Sequence, residues 1–456
     1  MARDVSDATP IDSRNALVAW FESGSKPVSQ FRLGTEHEKF AFFRENRAPV
    51  PYAGPRSIHA LLEGLRQASG WDAIMDGDAL IGLADEKGGG AISLEPGGQF
   101  ELSGAPVQAV HETAAELAGH LEALHAIAGP LGIGFLGLGL SPKWTLAQTP
   151  VMPKQRYGIM KNYMPKVGTR GLDMMFRTCT VQVNLDFASE ADMVQKLRVG
   201  VALQPVATAL FANSPFKEGR PSGLLTERSE IWRDTDNRRS GMIPFAFEHG
   251  MGFERYVDYA LDVPMYFVKR GDTYHDVAGA SFRDLMHGKL AALPGELATM
   301  SDWANHLGTI FPEVRLKRYL EMRGADCGTS PFINALPALF TGLYYDAAAL
   351  DGAWQLVKGW SAAERQKLRD DVPRLGLKAA IGGRSVQEVA RDMLALSRAG
   401  LARRAHLDAQ KRDEGIHLDC LDHVVASGRT HAEVLLERFH GVWGGTVDPV
   451  FAECGL

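Results

Sequence analysis

Cysteine is scarce in this chain. Its four copies, Cys179, Cys327, Cys420 and Cys454, lie far apart with no CxxC pair, which excludes a zinc ribbon and a disulfide framework. No stretch approaches the roughly 18 apolar residues of a membrane span, and Met1 to Arg14 carries Asp4, Asp7 and Asp12 in place of an apolar leader core. Basic charge is not in excess either. A net charge of -6 gives no electrostatic footing for nucleic acid or an anionic membrane. A P-loop is missing too: Gly88-Gly89-Gly90 lacks the Lys-Ser or Lys-Thr that would have to follow, and reads as a flexible turn. These absences leave small-molecule chemistry in a reducing cytoplasm as the expectation, with an unprocessed protein that is a monomer or a weak homodimer.

What remains is an ordinary globular composition, 45% hydrophobic and 23% charged over 456 residues, enough for a large core. Apolar residues at helical spacing, Val110, Ala114, Leu117, Leu121 and Leu124, predict a one-faced helix over 107–128. It is flanked by strand-like passages, Ala91 to Ser103 broken at Pro96-Gly97-Gly98, and Gly132 to Leu140. Thr180 to Phe187 alternates: Val181, Val183, Leu185 and Phe187 face one way, Thr180, Gln182, Asn184 and Asp186 the other. A helix is expected over 189–213, capped by Ser189 and kinked at Pro205. The Pro-, Gly-, Arg- and Asp-rich segment 214–252 reads as a long ordered loop or a lid. Another strand is expected from Val314 to Arg323. Beyond Gly324 the pattern is helical, at 344–358, 361–370, 385–402 and 430–439, which divides the chain into a core, 1–326, and a helical region, 327–456.

Carboxylates on alternate strand residues carry the chemical signal. In Gly34-Thr35-Glu36-His37-Glu38, Glu36 and Glu38 project from one sheet face while His37 points away. Gln99 and Glu101 share a face, with Glu95 just before the turn, and Glu321 and Arg323 share another. A solvated strand face or a surface ion pair explains any one of these alone. Four or five carboxylates presented by one sheet, however, would repel one another by several kcal/mol unless cations neutralise them or their pKa values rise. Magnesium, a hard ion that keeps open positions for phosphate, is the simplest such cation. Arg233 and Arg239, in the segment Arg228 to Gly241, are candidates to clamp a substrate carboxylate, as is Arg177 more weakly; a turn with solvated arginines is the alternative. Cys179 is expected to be inert packing.

Four runs closely resemble the plant-type glutamate–cysteine ligases, a group also found in bacteria: Gly34 to Phe40, Ser93 to Pro106, Met174 to Asn184 and Tyr319 to Asp326. The resemblance extends from about Phe31 to Asp326 and thins through the helical tail. It implies an α+β fold like that of glutamine synthetase, an antiparallel sheet shaped as a funnel and covered by helices. It also implies ATP- and Mg-dependent joining of the L-glutamate side-chain carboxylate to the L-cysteine amine, the first step of glutathione synthesis. By motif, Glu36, Glu38, Glu95, Glu101 and Glu321 resemble the magnesium ligands. Arg323 resembles the arginine that meets the transferred phosphoryl group. Glu38 is taken with Arg323 as catalytic, Gln182 as nucleotide-side, and Asn184 with Arg177, Arg233 and Arg239 as substrate-binding. A ligase with a different amine acceptor is the alternative within the same chemistry, and a non-catalytic sensor the alternative outside it.

Overall fold

Strand alternation settles the centre of the molecule. The computed structural model describes residues 7–456, so Asp4 lies outside the described residues. Nine strands form the main sheet: β1 (Leu33–Phe43), β2 (Asp72–Asp76), β3 (Ala79–Ala84), β4 (Ala91–Leu94), β5 (Gln99–Ser103), β6 (Ile133–Leu136), β7 (Thr180–Leu185), β8 (Val314–Leu316) and β9 (Leu320–Asp326). Their order is β8-β9-β7-β1-β5-β4-β3-β2, with β6 also paired to β1, and every pairing is antiparallel. The sheet is open rather than closed into a barrel.

On one face Val181, Val183 and Leu185 are buried beneath the helix Ser330–Tyr344, and β9 packs beside them against the long helix Glu190–Leu210. Its Ser189 hydroxyl accepts the Asp192 N–H at 3.2 Å as the N-cap, and Pro205 lies inside it, as the sequence implies. The helix Val110–Ala128 covers the sheet through Val110, Leu117 and Leu124. That leaves the opposite, polar face of β1, β5, β7 and β9 for chemistry.

Three expectations change. The predicted strand 314–323 is a hairpin, β8 and β9 joined across Lys317-Arg318-Tyr319. A helix precedes the expected 344–358 segment: Ser330–Tyr344 is buried along most of its length, and its apolar residues run all round it rather than on one stripe. It meets the helix Val386–Arg404 at backbone distance, since a Cβ on Gly400 would lie 1.9 Å from the Gly342 carbonyl oxygen. Finally, 214–252 is ordered, one of its two expected forms, but it is not an irregular loop: it contains the helix Glu227–Ile231 and short strands. Ser214, Thr226, Asp236, Arg239 and Phe245 are buried, and the Asp326 carboxylate accepts from the Ser214 hydroxyl (2.6 Å), the Thr226 hydroxyl (3.0 Å) and the Asn213 N–H (2.9 Å). Residues from both sides of 326, among them Val183, Leu197, Leu336 and Met393, share one apolar core.

Candidate active site

Register brings the dispersed carboxylates together. Glu36 lies opposite Gln182, Glu38 opposite Glu101, and Glu321 opposite Asn184. Glu36, Glu38, Glu95, Glu101, Gln182, Arg315 and Arg323 line one cleft with about 760 Å³ of open space. Arg156, Tyr157, Met160, Phe267, Thr309 and Phe311 complete its lining. His37 is on the far face as expected, its Nδ1 3.1 Å from Lys39 Nζ. Gln99, which strand alternation groups with Glu101, is instead a structural spacer: its amide donates to the Met175 and Thr178 carbonyls and accepts from the Gly97 N–H.

The cleft has two electrostatic walls. On the first, burial, then the neighbouring charges of Glu95 and Glu101, push the Glu38 carboxyl well above its usual range; Arg228 and the Thr180 N–H, 3.0 Å from Oε2, offset only part of this. Burial and Glu101 likewise raise Glu95. Glu101 differs: burial would raise it, but the Ser103 hydroxyl, 2.6 Å from Oε1, and Lys154 help to hold its carboxyl below the usual range. The second wall is the reverse. Glu321 is fully buried and accepts two parallel hydrogen bonds from Arg315 (3.0 and 2.7 Å), with Lys317 at 3.2 Å and Arg323 in direct contact. Burial alone would raise Glu321, but Arg315, Lys317 and Arg323 outweigh it and hold its carboxyl well below the carboxylate range. Burial, then Arg315, lowers Lys317 to about 8. Glu321 thus anchors three cations, a position the motif alone assigns to a metal ligand.

Among the described residues no group of three carboxylate, imidazole or thiol side chains forms a ready metal cage. Magnesium does not need one, because it binds through one or two carboxylates and fills the remaining positions with water and phosphate oxygen. The hard oxygen donors Glu38, Glu95 and Glu101, the first two raised by burial and by their acidic neighbours, fit that ion.

The arginines expected to clamp substrate stand elsewhere. Arg239 is fully buried, bonded to Asp236 (2.6 Å), the Thr309 carbonyl (3.1 Å) and the Pro264 carbonyl (2.7 Å), and stacked on Tyr266 at 3.6 Å. Arg233 is a surface residue paired with Glu230 and Asp370. Arg177 joins Asp173 (2.9 Å) and Glu218 (2.8 Å) away from the cleft. Asn184 does reach the site, donating to Glu36 at 2.9 Å, and Gln182 accepts from Arg323. Arg315 and Lys317 are the cations that motif reading missed. Their signal was alternation, since Arg315, Lys317, Glu321 and Arg323 all fall on odd positions of the hairpin.

A buried antiparallel sheet that faces clustered carboxylates against clustered guanidinium groups is suited to transfer of a phosphoryl group between nucleotide and carboxylate. The chain belongs to glutamate-cysteine ligase family 2 (GCS2), whose model matches residues 32–453. It is 54% identical over 441 residues to the chloroplastic glutamate–cysteine ligase of Nicotiana tabacum, covering 97% of this chain and 82% of that protein. It is 54% identical over 446 residues to the chloroplastic enzyme of Arabidopsis thaliana, covering 98% and 83%. Its fold is similar to that of a Francisella tularensis glutamate–cysteine ligase solved in complex with AMP (TM-score 0.54, 12% identity, 90% of this chain and 85% of that one).

Proposed function

We propose that this protein is an ATP-dependent glutamate–cysteine ligase, joining the γ-carboxylate of L-glutamate to the amine of L-cysteine through a γ-glutamyl phosphate. The observation that carries the reading is the cleft's division into an acidic and a basic wall, in a chain of this family.

A carboxylate does not react usefully with an amine in water, because oxide is a very poor leaving group. Phosphoryl transfer from ATP to the side-chain carboxylate converts that oxygen into part of a phosphate; the amine then attacks the acyl carbon and phosphate departs. Glu38, Glu95 and Glu101, with Glu36 beside them, are the residues that would hold magnesium, which when bound neutralises charge on the nucleotide phosphates. Arg323, held by Gln182 and Glu321, is poised to meet the moving phosphoryl group, while Arg315 and Lys317 keep the Arg323 side of the cleft positive. Phe311, Phe267 and Met160 help to keep water from the acyl phosphate. A second, roomier cavity of about 1440 Å³ shares Glu36 with the cleft and is lined by Arg32, Gly89, Asn184 and Tyr319. It suits the nucleoside end of ATP, and it gives the triple-glycine turn a place beside that ligand. All four cysteines are unpaired, and among the described residues no helix is long and apolar enough to cross a membrane.

ADP release assayed with glutamate and magnesium, with and without cysteine, tests the reading. Turnover should need both amino acids and fall by about 10²-fold or more in Glu38→Gln. ADP release at full rate without any amine would point instead to a kinase, and preference for another amine over cysteine to a different ligase.

A further inference from the structure

A buried lysine sits beside the acidic wall without lining the cleft. Lys154, just before the helix Gln155–Tyr163, is 6% exposed, and none of the motif runs contains it. Its segment is docked on the turn that carries Glu95. The Met152 N–H donates to the Pro96 carbonyl (3.0 Å), and the Leu94 carbonyl accepts from both the Lys154 ammonium (2.7 Å) and the Tyr157 hydroxyl (2.6 Å). That hydroxyl lies 3.3 Å from Lys154 Nζ and 3.5 Å from Glu95 Oε1, so one oxygen stands between the ammonium and the carboxylate.

The hydrogen bonds alone do not explain a lysine here. A neutral amide reaching the Leu94 carbonyl would make a similar bond without taking a full charge out of water. What the charge adds is opposition to the carboxylates. Burial and then Glu101 raise the Glu95 carboxyl, and Lys154 leads the cations that counter them. It acts on Glu101 in the same sense. These are carboxylates that would hold magnesium, so ammonium and metal would share one pool of negative charge and repel each other across it.

We propose that Lys154 is the built-in counter-cation of the acidic wall: it keeps Glu95 and Glu101 packed together in the metal-free protein and, by its charge, limits how tightly that wall takes a divalent cation. It is a positioning residue, acting through Glu95 and Glu101 rather than on the reacting atoms. The part concerning metal rests on the ligase reading; the part concerning the carboxylates rests on the geometry.

The test uses Lys154→Gln, which keeps a donor for the Leu94 carbonyl and removes the charge. Thermal midpoints at pH 8 are read for wild type, Lys154→Gln, Glu95→Gln and the double variant, first with divalent ions chelated and then across a magnesium chloride titration. Without metal, Lys154→Gln should lower the midpoint by about 2 °C or more, and by at most half as much in the Glu95→Gln background. With metal, Lys154→Gln should respond at a several-fold lower magnesium concentration than wild type. An equal loss in both backgrounds would mean that the lysine supplies only a hydrogen bond, and overturns the proposal. An unchanged or raised magnesium requirement overturns the limit on metal affinity. If Lys154→Gln alone does not fold, recovery of a cooperative transition on adding Glu95→Gln supports the proposal, and its absence overturns it. Failure of the ligase reading looks different: wild type would release no ADP with glutamate, cysteine and magnesium, while the metal-free comparison would still decide the role of the lysine charge.

Discussion

Glu38 and Glu321 stand on the same polar face of one sheet, and motif reading treats them alike. Their surroundings are opposite: Glu38 is crowded by Glu95 and Glu101, whereas Glu321 is gripped by Arg315, Lys317 and Arg323. Glu38→Gln removes a charge the apo-protein does not accommodate well, so its unfolding free energy should equal or exceed wild type while activity collapses. Glu321→Gln leaves buried cations without their counter-charge and should cost about 3–5 kcal/mol. Urea denaturation of the two variants beside wild type checks this, and a stability loss in Glu38→Gln as large as that in Glu321→Gln would contradict it.

Elements carry the packing. Gly342 and Gly400 let the helices Ser330–Tyr344 and Val386–Arg404 touch backbone to backbone, and no side chain fits there. Gly400→Ala should force the pair apart and cost about 1–3 kcal/mol, read as a lowered thermal midpoint. The strands and their polar face were legible in sequence because alternation is local: the Glu36, Glu38, Glu101 and Gln182 positions follow from period two alone. The 314–326 hairpin was not, since Lys317-Arg318-Tyr319 contains no Gly, Pro or Asn to mark a turn. The helix Ser330–Tyr344 was hidden by having no polar stripe and by carrying Pro331 and Pro337. Segment 214–252 read as a long ordered loop or a lid by composition, but how it is anchored was hidden, because its polar residues find partners such as Asp326 that lie about a hundred positions away in the chain, beyond any window.

Across the whole molecule, buried histidines set a limit on the acid side. Burial lowers His306 from 6.5 to about 4, with its Nε2 2.8 Å from the Ala260 carbonyl. Burial also lowers His431 to about 4. The folded protein keeps these rings neutral while the unfolded chain protonates them below 6.5. Stability is therefore full above that pH and falls as pH drops towards 4, by about 3 kcal/mol through His306 alone. Urea midpoints followed from pH 7 downward should show that decline, and a His306→Gln variant should show a shallower one. The shared core makes a second whole-molecule prediction. A chain ending at Asp326 loses Leu336, Leu339 and Met393 from beneath the sheet and should show no cooperative thermal transition by circular dichroism.

Strand β1 writes two messages in one line of residues, with Glu36 and Glu38 facing the cleft and His37 and Lys39 facing the interior. Inserting a single amino acid ahead of Glu36 would exchange them wholesale, putting imidazole and ammonium where phosphate is handled and carboxylates into the oily side. Chemistry and architecture in this stretch therefore share a reading frame, and length changes are tolerable only outside it.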